Sequence, residues 1–249
     1  MLSIIVPSRS PEKIAAVSAH YHRLFADHPH ELIPVHNPPS MCRAYNEGLD
    51  RSIGELVIFS HDDIEALEPA TFAPRLLGHL ESFDVVGVAG TSRLCRAGWV
   101  VAGLPDIFGQ VLHPLPDGRY CLSIYSTPAP INPGIQAMDG LFLAFRRPCI
   151  EAIRWDEVTF DHFHHYDVDT TFRAHLAGYR LAVACDLHLF HNSGGSFDDT
   201  WSRYAERFLH KHGPRLAAPL HGQAQFTVRV VRSREEALPL MTPPHWATA

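Results

Sequence analysis

Four clusters of polar side chains combine residue types that bind metals, phosphates or sugars. Three of them follow predicted β-strands: Pro-Ser-Arg at 7–9, His-Asp-Asp-Ile-Glu at 61–65, and His-Leu-Phe-His-Asn-Ser-Gly-Gly-Ser at 188–196. The fourth, Tyr-Asp-Val-Asp at 166–169, opens a predicted helix. Ligands of open α/β sheets bind beyond the carboxyl ends of the strands. The shared placement of the clusters therefore predicts one site at one edge of a sheet.

Two adjacent carboxylates, Asp62 and Asp63, come directly after the apolar run Glu55–Ser60. Adjacent carboxylates repel unless a positive charge lies between them, and a divalent cation supplies that charge. His191 is a candidate further ligand, and the glycines after it let backbone N–H groups approach a phosphate closely. The alternatives are an Asx turn or helix N-cap for the acids and an ordinary surface turn for the glycines.

Histidine is over-represented, with 18 of 249 residues, and three histidines lie close together at positions 162, 164 and 165. With Asp167 they resemble ligand-rich metal sites, so a His-rich metal-dependent hydrolase is one alternative. No helical His-x-x-x-His spacing fixes their geometry. That favours an exposed loop, in contact with an acceptor or a neighbouring subunit.

Short apolar runs alternate with helical patterns over most of the chain. The predicted strands are Leu2–Pro7, Glu31–His36, Glu55–Ser60, Asp84–Ala89, Gly140–Arg146 and Arg180–Cys185. The predicted helices are Pro11–Ala26, Met41–Ser52, Thr71–Ser82, Asp167–Ala177 and Asp199–His212. This alternation predicts an α/β fold in which a mostly parallel central sheet carries helices on both faces.

The domain organisation follows from where this alternation is interrupted. Residues 90–136 are rich in glycine, proline and polar turns, which predicts an irregular insertion. Residues 1–222 are expected to form a single domain that includes the insertion. Residues 223–249 form a C-terminal tail with one strand-like run at Phe226–Val231 and a loosely held end.

The composition disfavours several classes of protein. Apolar residues make up 46% and charged residues 19%, as in an ordinary globular protein. A net charge of −6 without a basic block disfavours nucleic-acid binding, which depends on neutralising phosphates. No signal peptide or membrane-spanning run is seen, and the five cysteines form no Cys-x-x-Cys pair. We therefore expect a cytoplasmic protein, with peripheral membrane contact and a homodimer left open.

Five segments, in order, resemble nucleotide-sugar glycosyltransferases of the GT-A fold, family-2-like. They read SIIVPSR (3–9), AYNEGLDRSIGELVIFSHDDI (44–64), MDGLFLAFRR (138–147), FHHYDVDTTFRAHLAGYRLAV (163–183) and LHLFHNSGGSFDDTW (187–201). The nearest group is a bacterial subset with His-x-Asp in place of Asp-x-Asp. The resemblance implies a GT-A, Rossmann-like fold and inverting transfer of a sugar from a nucleoside-diphosphate sugar to an acceptor hydroxyl.

The resemblance also implies which residues contact the substrates. The candidates for donor or acceptor contacts are Pro7, Ser8, Arg9, Asn46, Asp62, Asp139, Gly140 and Asp169. Pro7, Ser8 and Arg9 would line the pocket of the base and ribose, and Asp139 would face the donor sugar or the acceptor. A UDP-sugar is the expected donor, and a glycan, a lipid-linked molecule or a small molecule is the expected acceptor, as in polysaccharide biosynthesis.

The metal and the base are implied in the same way. Asp63 would hold Mn²⁺ or Mg²⁺ on the diphosphate, with His191 as second ligand and His61 assisting. Asp167 would be the catalytic base that takes the proton of the acceptor hydroxyl.

Two positions depart from the family pattern. His61 stands where the metal motif has its first Asp, and Tyr166 stands where a Glu precedes the base. The Gln-x-x-Arg-Trp motif of processive synthases is absent, which implies single transfer. Two alternatives remain open: a non-catalytic relative that binds a nucleotide sugar or glycan, and the His-rich hydrolase.

Overall fold

The computed structural model describes residues 1–195, 198–219 and 226–248. The helices are α1 Pro11–Leu24, α2 Met41–Arg51, α3 Pro69–Ser82, α4 Arg147–Ile153, α5 Tyr166–Leu176, α6 Asp199–His212 and α7 Arg234–Met241. The strands are β1 Leu2–Ser8, β2 His30–His36, β3 Leu56–Ser60, β4 Ile64–Ala66, β5 Val85–Gly87, β6 Ala89–Thr91, β7 Ile107–Pro114, β8 Tyr120–Ile124, β9 Ile131–Pro133, β10 Ala137–Met138, β11 Phe142–Arg146, β12 Leu181–Ala184, β13 Leu189–His191 and β14 Thr227–Val231. None of the helices in these ranges is both long and apolar enough to cross a bilayer.

The main sheet has the strand order β2-β1-β3-β11-β5-β12-β9. Strand β1 is parallel to β2 and to β3, and β12 is parallel to β5. Strand β11 is antiparallel to both β3 and β5, and β9 is antiparallel to β12. The sheet is more mixed than predicted, because β11 is entered from the short strand β10 and not through the crossover helix that a parallel strand needs.

Helices cover both faces of this sheet, as predicted. Successive residues of a strand point to opposite faces. On β3, Phe59 packs against Tyr45 of α2 with ring centroids 4.9 Å apart, whereas Ser60 accepts a 2.7 Å hydrogen bond from the Tyr21 hydroxyl of α1. The central strand is therefore buried between α1 and α2, and its carboxyl end opens onto one edge of the sheet.

The region expected to be irregular contributes a second sheet. Its strand order is β10-β6-β7-β13-β4, and β8 pairs with β7 as a hairpin. The glycines and prolines of residues 90–136 lie mainly between these strands, which is why local composition hid them. The second sheet also includes β4, directly after Asp63, and β13, which ends at His191. It therefore joins two of the candidate clusters.

The C-terminal segment is packed and not loosely held. Strand β14 pairs antiparallel with β8, and α7 closes a small core under the hairpin. The buried members of that core are Leu112, Leu122, Phe190, Val231, Ala237 and Met241. The predicted boundary between residues 222 and 223 lies outside the described residues. Residues 227–241 belong to the folded unit because their apolar side chains cover the hairpin.

Two neighbouring residues of α7 test this packing. Met241 is fully buried, whereas Leu240 is 44% exposed. We expect Met241→Ala to lower the free energy of unfolding by about 2–5 kcal/mol, because it leaves a cavity. Leu240→Ala is expected to change it by less than about 0.5 kcal/mol. Urea denaturation of both variants measures this, and equal effects would show that α7 does not contribute to the core.

Candidate active site

A cavity of about 360 Å³ lies beyond the carboxyl ends of β1 and β3. It is lined by Pro7, Ser8, Arg9, Pro38, Met41, His61, Asp62, Asp63, Phe163, Tyr166 and Ser193. Six of these residues were singled out as site candidates from the sequence. The structure therefore brings the first two polar clusters together with the start of α5 and the turn after β13, at the sheet edge where ligands of α/β proteins bind.

The predicted metal ligands converge on one point beside this cavity. His61, Asp63 and His191 each offer one ligand atom, and all three atoms lie within 4.8 Å of one another. His191 Nε2 is 3.2 Å from His61 Nδ1 and 3.3 Å from Asp63 Oδ1. Within the described ranges this is the one group of three or more such side chains close enough to share an ion.

Strand pairing sets this geometry. Strand β13 is antiparallel to β4, with His191 opposite Ile64, and the Asn192 N–H donates a 2.8 Å hydrogen bond to the carbonyl oxygen of Asp63. Because the side-chain period of a strand is two, a shift of one residue would turn His191 to the other face. The register between two strands more than 100 residues apart thus places the ligand.

The electrostatics keep these side chains in the forms that bind cations. Burial opposes the charge of Asp63, but the hydrogen bond and charge of His191, together with His61 and Lys13, hold its pKa well below the ordinary value. Burial, and then the neighbouring His191, lower the pKa of His61 to about 4. At neutral pH the site therefore offers an ionised carboxylate and a neutral His61 imidazole, which are the ligating forms.

Asp62 and Asp63 are also joined by a lysine. The Nζ atom of Lys13, on α1, lies 3.3 Å from Asp62 Oδ1 and 3.2 Å from Asp63 Oδ2. The hydroxyl of Ser8 donates to the other oxygen of Asp62 at 2.5 Å. Lys13 thus contacts Asp63 at Oδ2 and leaves Oδ1 facing His191, and its single charge offsets part of the negative charge of the two acids.

Asp167 lies in the first turn of α5, against the loop before β11. Its Oδ2 accepts a 2.7 Å hydrogen bond from the Gly140 N–H. Burial, and then the nearby Asp139, raise the pKa of Asp167 to about 7. Asp139 is itself held by the Trp99 indole N–H at 3.1 Å and by the Leu141 N–H at 3.1 Å. A carboxyl group with such a pKa can accept a proton near neutral pH.

Two of the substrate-contact candidates, Gly140 and Asn46, make hydrogen bonds within the protein. Gly140 has no side chain to offer and instead holds Asp167 through its N–H. Asn46 bridges the backbone of Trp155, to which its amide donates at 2.9 Å and from which its oxygen accepts at 3.1 Å.

Asp169, a third candidate for a substrate contact, is also engaged within the protein. It is fully buried and paired with Arg173, Lys211 and His212 at 2.6–2.8 Å, which ties α5 to α6. Residues two apart on a helix do not share a face, so Asp167 and Asp169 cannot both line the site. Burial opposes its charge, but these partners lower the pKa of Asp169.

The histidine string forms no metal cluster with Asp167 among the described residues. His164 Nε2 lies 3.8 Å from Asp198, and His165 is buried, with a 3.2 Å hydrogen bond to the Trp201 carbonyl oxygen. His162 stacks on Tyr204, with ring centroids 5.6 Å apart. The string is thus largely packed against α6, not exposed as predicted.

Other residues of the site were not among the candidates for substrate or metal contacts. Phe163 lines the cavity and carries the Arg9 guanidinium 4.8 Å above its ring. Ser193, in the cluster at 188–196, places its hydroxyl 3.0 Å from His191 Nε2. Lys13 and Trp99 reach the site from α1 and from a 3₁₀ turn at Trp99–Ala102. Nothing in the local sequence of Lys13 or Phe163 distinguishes them, and only the tertiary fold brings them to the acids.

Comparison with known proteins shows the family of the chain. Residues 3–212 match the sequence model of a family described as glycosyltransferase-like. A mannosyltransferase from Pyrobaculum calidifontis, PcManGT, solved in complex with GDP-Man and Mn²⁺, aligns with a TM-score of 0.54 at 13% identity. The alignment covers 88% of this chain and 65% of that structure, so the chain spans less than two thirds of its length.

Two further structures align at lower similarity. A197 from STIV gives a TM-score of 0.41 at 11% identity over 79% of this chain and 96% of its own. S. aureus TarS 1–349 gives 0.45 at 12% identity over 86% and 72%. The sequence has no significant match among curated proteins.

Substitution of two of the three converging side chains tests whether they bind a metal. We expect Asp63→Asn and His191→Ala each to weaken Mn²⁺ binding by more than about 100-fold, because even outer-shell substitutions cost 10–100-fold. His164→Ala is the matched control, since this histidine lies near α5 but outside the cluster. Calorimetric titration with Mn²⁺ alone measures the affinities. Loss of binding in the control, with the other two unaffected, would favour the His-rich hydrolase instead.

Proposed function

The chain belongs to the glycosyltransferase-like family whose model matches residues 3–212, and we propose that it is an inverting, non-processive glycosyltransferase. Its resemblance to family-2-like GT-A enzymes, predicted from five segments, is confirmed by that match and by the fold. The proposed reaction transfers a sugar from a nucleoside-diphosphate sugar to an acceptor hydroxyl. One observation carries it: the candidate ligands His61 and Asp63 line the cavity together with Tyr166, and the carboxyl group of raised pKa, Asp167, is the next residue of the chain.

The cavity suits a nucleoside diphosphate. Its apolar part, with Pro7, Pro38, Met41 and Phe163, would hold the base, and its polar end carries Asp62 and the metal ligands. A volume of about 360 Å³ falls at the lower end of the range for small-molecule sites. The donor sugar would then extend from the diphosphate toward Asp139 and Asp167.

His61, Asp63 and His191 are the residues that would hold a divalent cation, which would neutralise the charge growing on the leaving diphosphate. Two imidazoles and one carboxylate suit a first-row transition metal better than Mg²⁺, which prefers oxygen ligands. We therefore propose Mn²⁺ as the ion, in line with the Mn²⁺ present in the PcManGT complex. The Lys13 ammonium, beside Asp62 and Asp63, would add a second positive charge near the phosphates.

Asp167 would act as the base. The acceptor oxygen forms a bond to the anomeric carbon while its proton passes to the Asp167 carboxylate, and the bond from that carbon to the diphosphate breaks. The nucleoside diphosphate leaves with the electron pair of that bond. Gly140 would keep Asp167 Oδ2 in place, so that Oδ1 faces the acceptor.

The pH dependence of transfer tests the base. Because the base must be ionised, kcat/KM is expected to rise with pH through about 7 and then level off. Asp139→Asn removes the neighbouring carboxylate that raises the pKa of Asp167, so the rise should move to lower pH. Asp167→Asn should reduce the transfer rate by about 100-fold or more while donor binding persists. Full activity of Asp167→Asn would contradict this role.

Donor binding tests the substrate class. In calorimetry with UDP-, GDP-, dTDP- and CMP-sugars, we expect at least one diphosphate donor to bind and its affinity to fall when Mn²⁺ is removed. CMP-sugar, which has a single phosphate, is the control and should bind weakly. Slow hydrolysis of the bound donor without acceptor is the expected sign of catalysis. Binding without hydrolysis or transfer to any acceptor tried would instead indicate the non-catalytic relative.

A further inference from the structure

Tyr166, the first residue of α5, connects the two halves of the proposed site. Its hydroxyl lies 2.8 Å from His61 Nε2, while the other ring nitrogen of His61, Nδ1, faces His191 Nε2 at 3.2 Å. Tyr166 is 4% exposed and immediately precedes Asp167. The proposed base, Asp167, and the residue that contacts the proposed ligand His61 are therefore neighbours in the first turn of α5.

Cation binding would determine which nitrogen of His61 carries the hydrogen. A neutral imidazole has one donor and one acceptor nitrogen. Nδ1 faces the point where the ligand atoms converge, 3.2 Å from His191 Nε2, so it is the nitrogen that would offer its lone pair to a cation. In that ligating form the hydrogen sits on Nε2 and is donated to the Tyr166 oxygen. Ligating histidines commonly have such a partner, which fixes tautomer and ring orientation.

Packing holds the Tyr166 hydroxyl at this place. Its ring lies 5.9 Å from the Tyr45 ring and 5.8 Å from the Trp155 ring. On the other side, a Cβ at position 140 would be 2.7 Å from the Tyr166 hydroxyl and 2.7 Å from the Asp167 Cβ, so only glycine leaves room. The hydroxyl is thus a rigid acceptor and not a mobile surface group.

We propose that Tyr166 is a positioning residue that holds His61 in its ligating tautomer and orientation and thereby sets the affinity of the metal site. This rests on the proposed metal role of His61, Asp63 and His191. It also joins the two departures from the family pattern: the histidine at 61 and the tyrosine at 166 are hydrogen-bonded partners. A histidine ligand needs an acceptor for its second nitrogen, and the hydroxyl supplies one.

The chain provides a closely matched control. Tyr45 is a fully buried tyrosine whose ring contacts that of Tyr166, but its hydroxyl has no hydrogen-bond partner among the described residues. Tyr45→Phe and Tyr166→Phe therefore remove the same atom from the same aromatic cluster. Only the second removes an acceptor from His61.

The experiment is a titration of the unliganded full chain with Mn²⁺. The electron paramagnetic resonance signal of the free ion measures how much Mn²⁺ is bound at each point. We expect Tyr166→Phe to weaken binding by about 10–100-fold and Tyr45→Phe to leave it unchanged. In the His61→Ala background, Tyr166→Phe should cause no further loss, because the coupling partner is already absent. Imidazole ¹⁵N spectra should show His61 mainly as the Nε2–H form in the wild type and as a mixture in Tyr166→Phe.

The outcomes separate this inference from the proposed function. A wild-type chain that does not bind Mn²⁺ would overturn the metal site and the inference with it. Normal Mn²⁺ binding by the wild type and by Tyr166→Phe would overturn the inference and leave the metal site standing. Equal losses in Tyr166→Phe with and without His61 would also overturn it, since they would indicate a general packing defect.

Discussion

The site depends on the close approach of the first turn of α5 to the loop before β11. At Gly140 the loop backbone lies so near the side chains of that turn that a Cβ would be 2.7 Å from the Asp167 Cβ and 2.7 Å from the Tyr166 hydroxyl. Such distances are incompatible with any side chain at that position. The missing side chain lets the Gly140 N–H bind Asp167 and lets the Tyr166 hydroxyl reach His61. The close approach at one glycine thereby positions both Asp167 and the partner of His61.

The rest of the fold supports that contact from two directions. Below it, Asp169 contacts Arg173 of its own helix and Lys211 and His212 of α6, so that the helix carrying Asp167 is tied to α6 by buried polar contacts. Beside it, the second sheet brings His191 to Asp63 through the pairing of β13 with β4. Removing a partner of the buried Asp169 is costly, because it leaves an uncompensated charge. Residues remote from the cavity thus determine its geometry.

The sequence was sufficient to predict the α/β class, the strand ends and the three converging residues His61, Asp63 and His191. The fold class and the strand ends rest on period and position, which are local properties, whereas the set of three ligands was implied by the resemblance to the glycosyltransferases. Asp169 shows where local reasoning fails: its type and place matched a site residue, but two of its three partners come from a helix about 40 residues later. The same holds for the second sheet within residues 90–136, whose strands are defined by long-range pairing that composition does not encode. Tyr166 was noted only as a missing Glu, because its contact with His61 spans 105 positions.

The central claim is that one cavity joins a metal-bound diphosphate to the Asp167 base. A crystal structure with Mn²⁺ and UDP tests it most directly. We expect the ion between His61 Nδ1, Asp63 Oδ1 and His191 Nε2, with the diphosphate bound to that ion. The uracil ring of UDP is expected beside Pro7 and Phe163. A diphosphate bound away from Asp63 and His191 would contradict it.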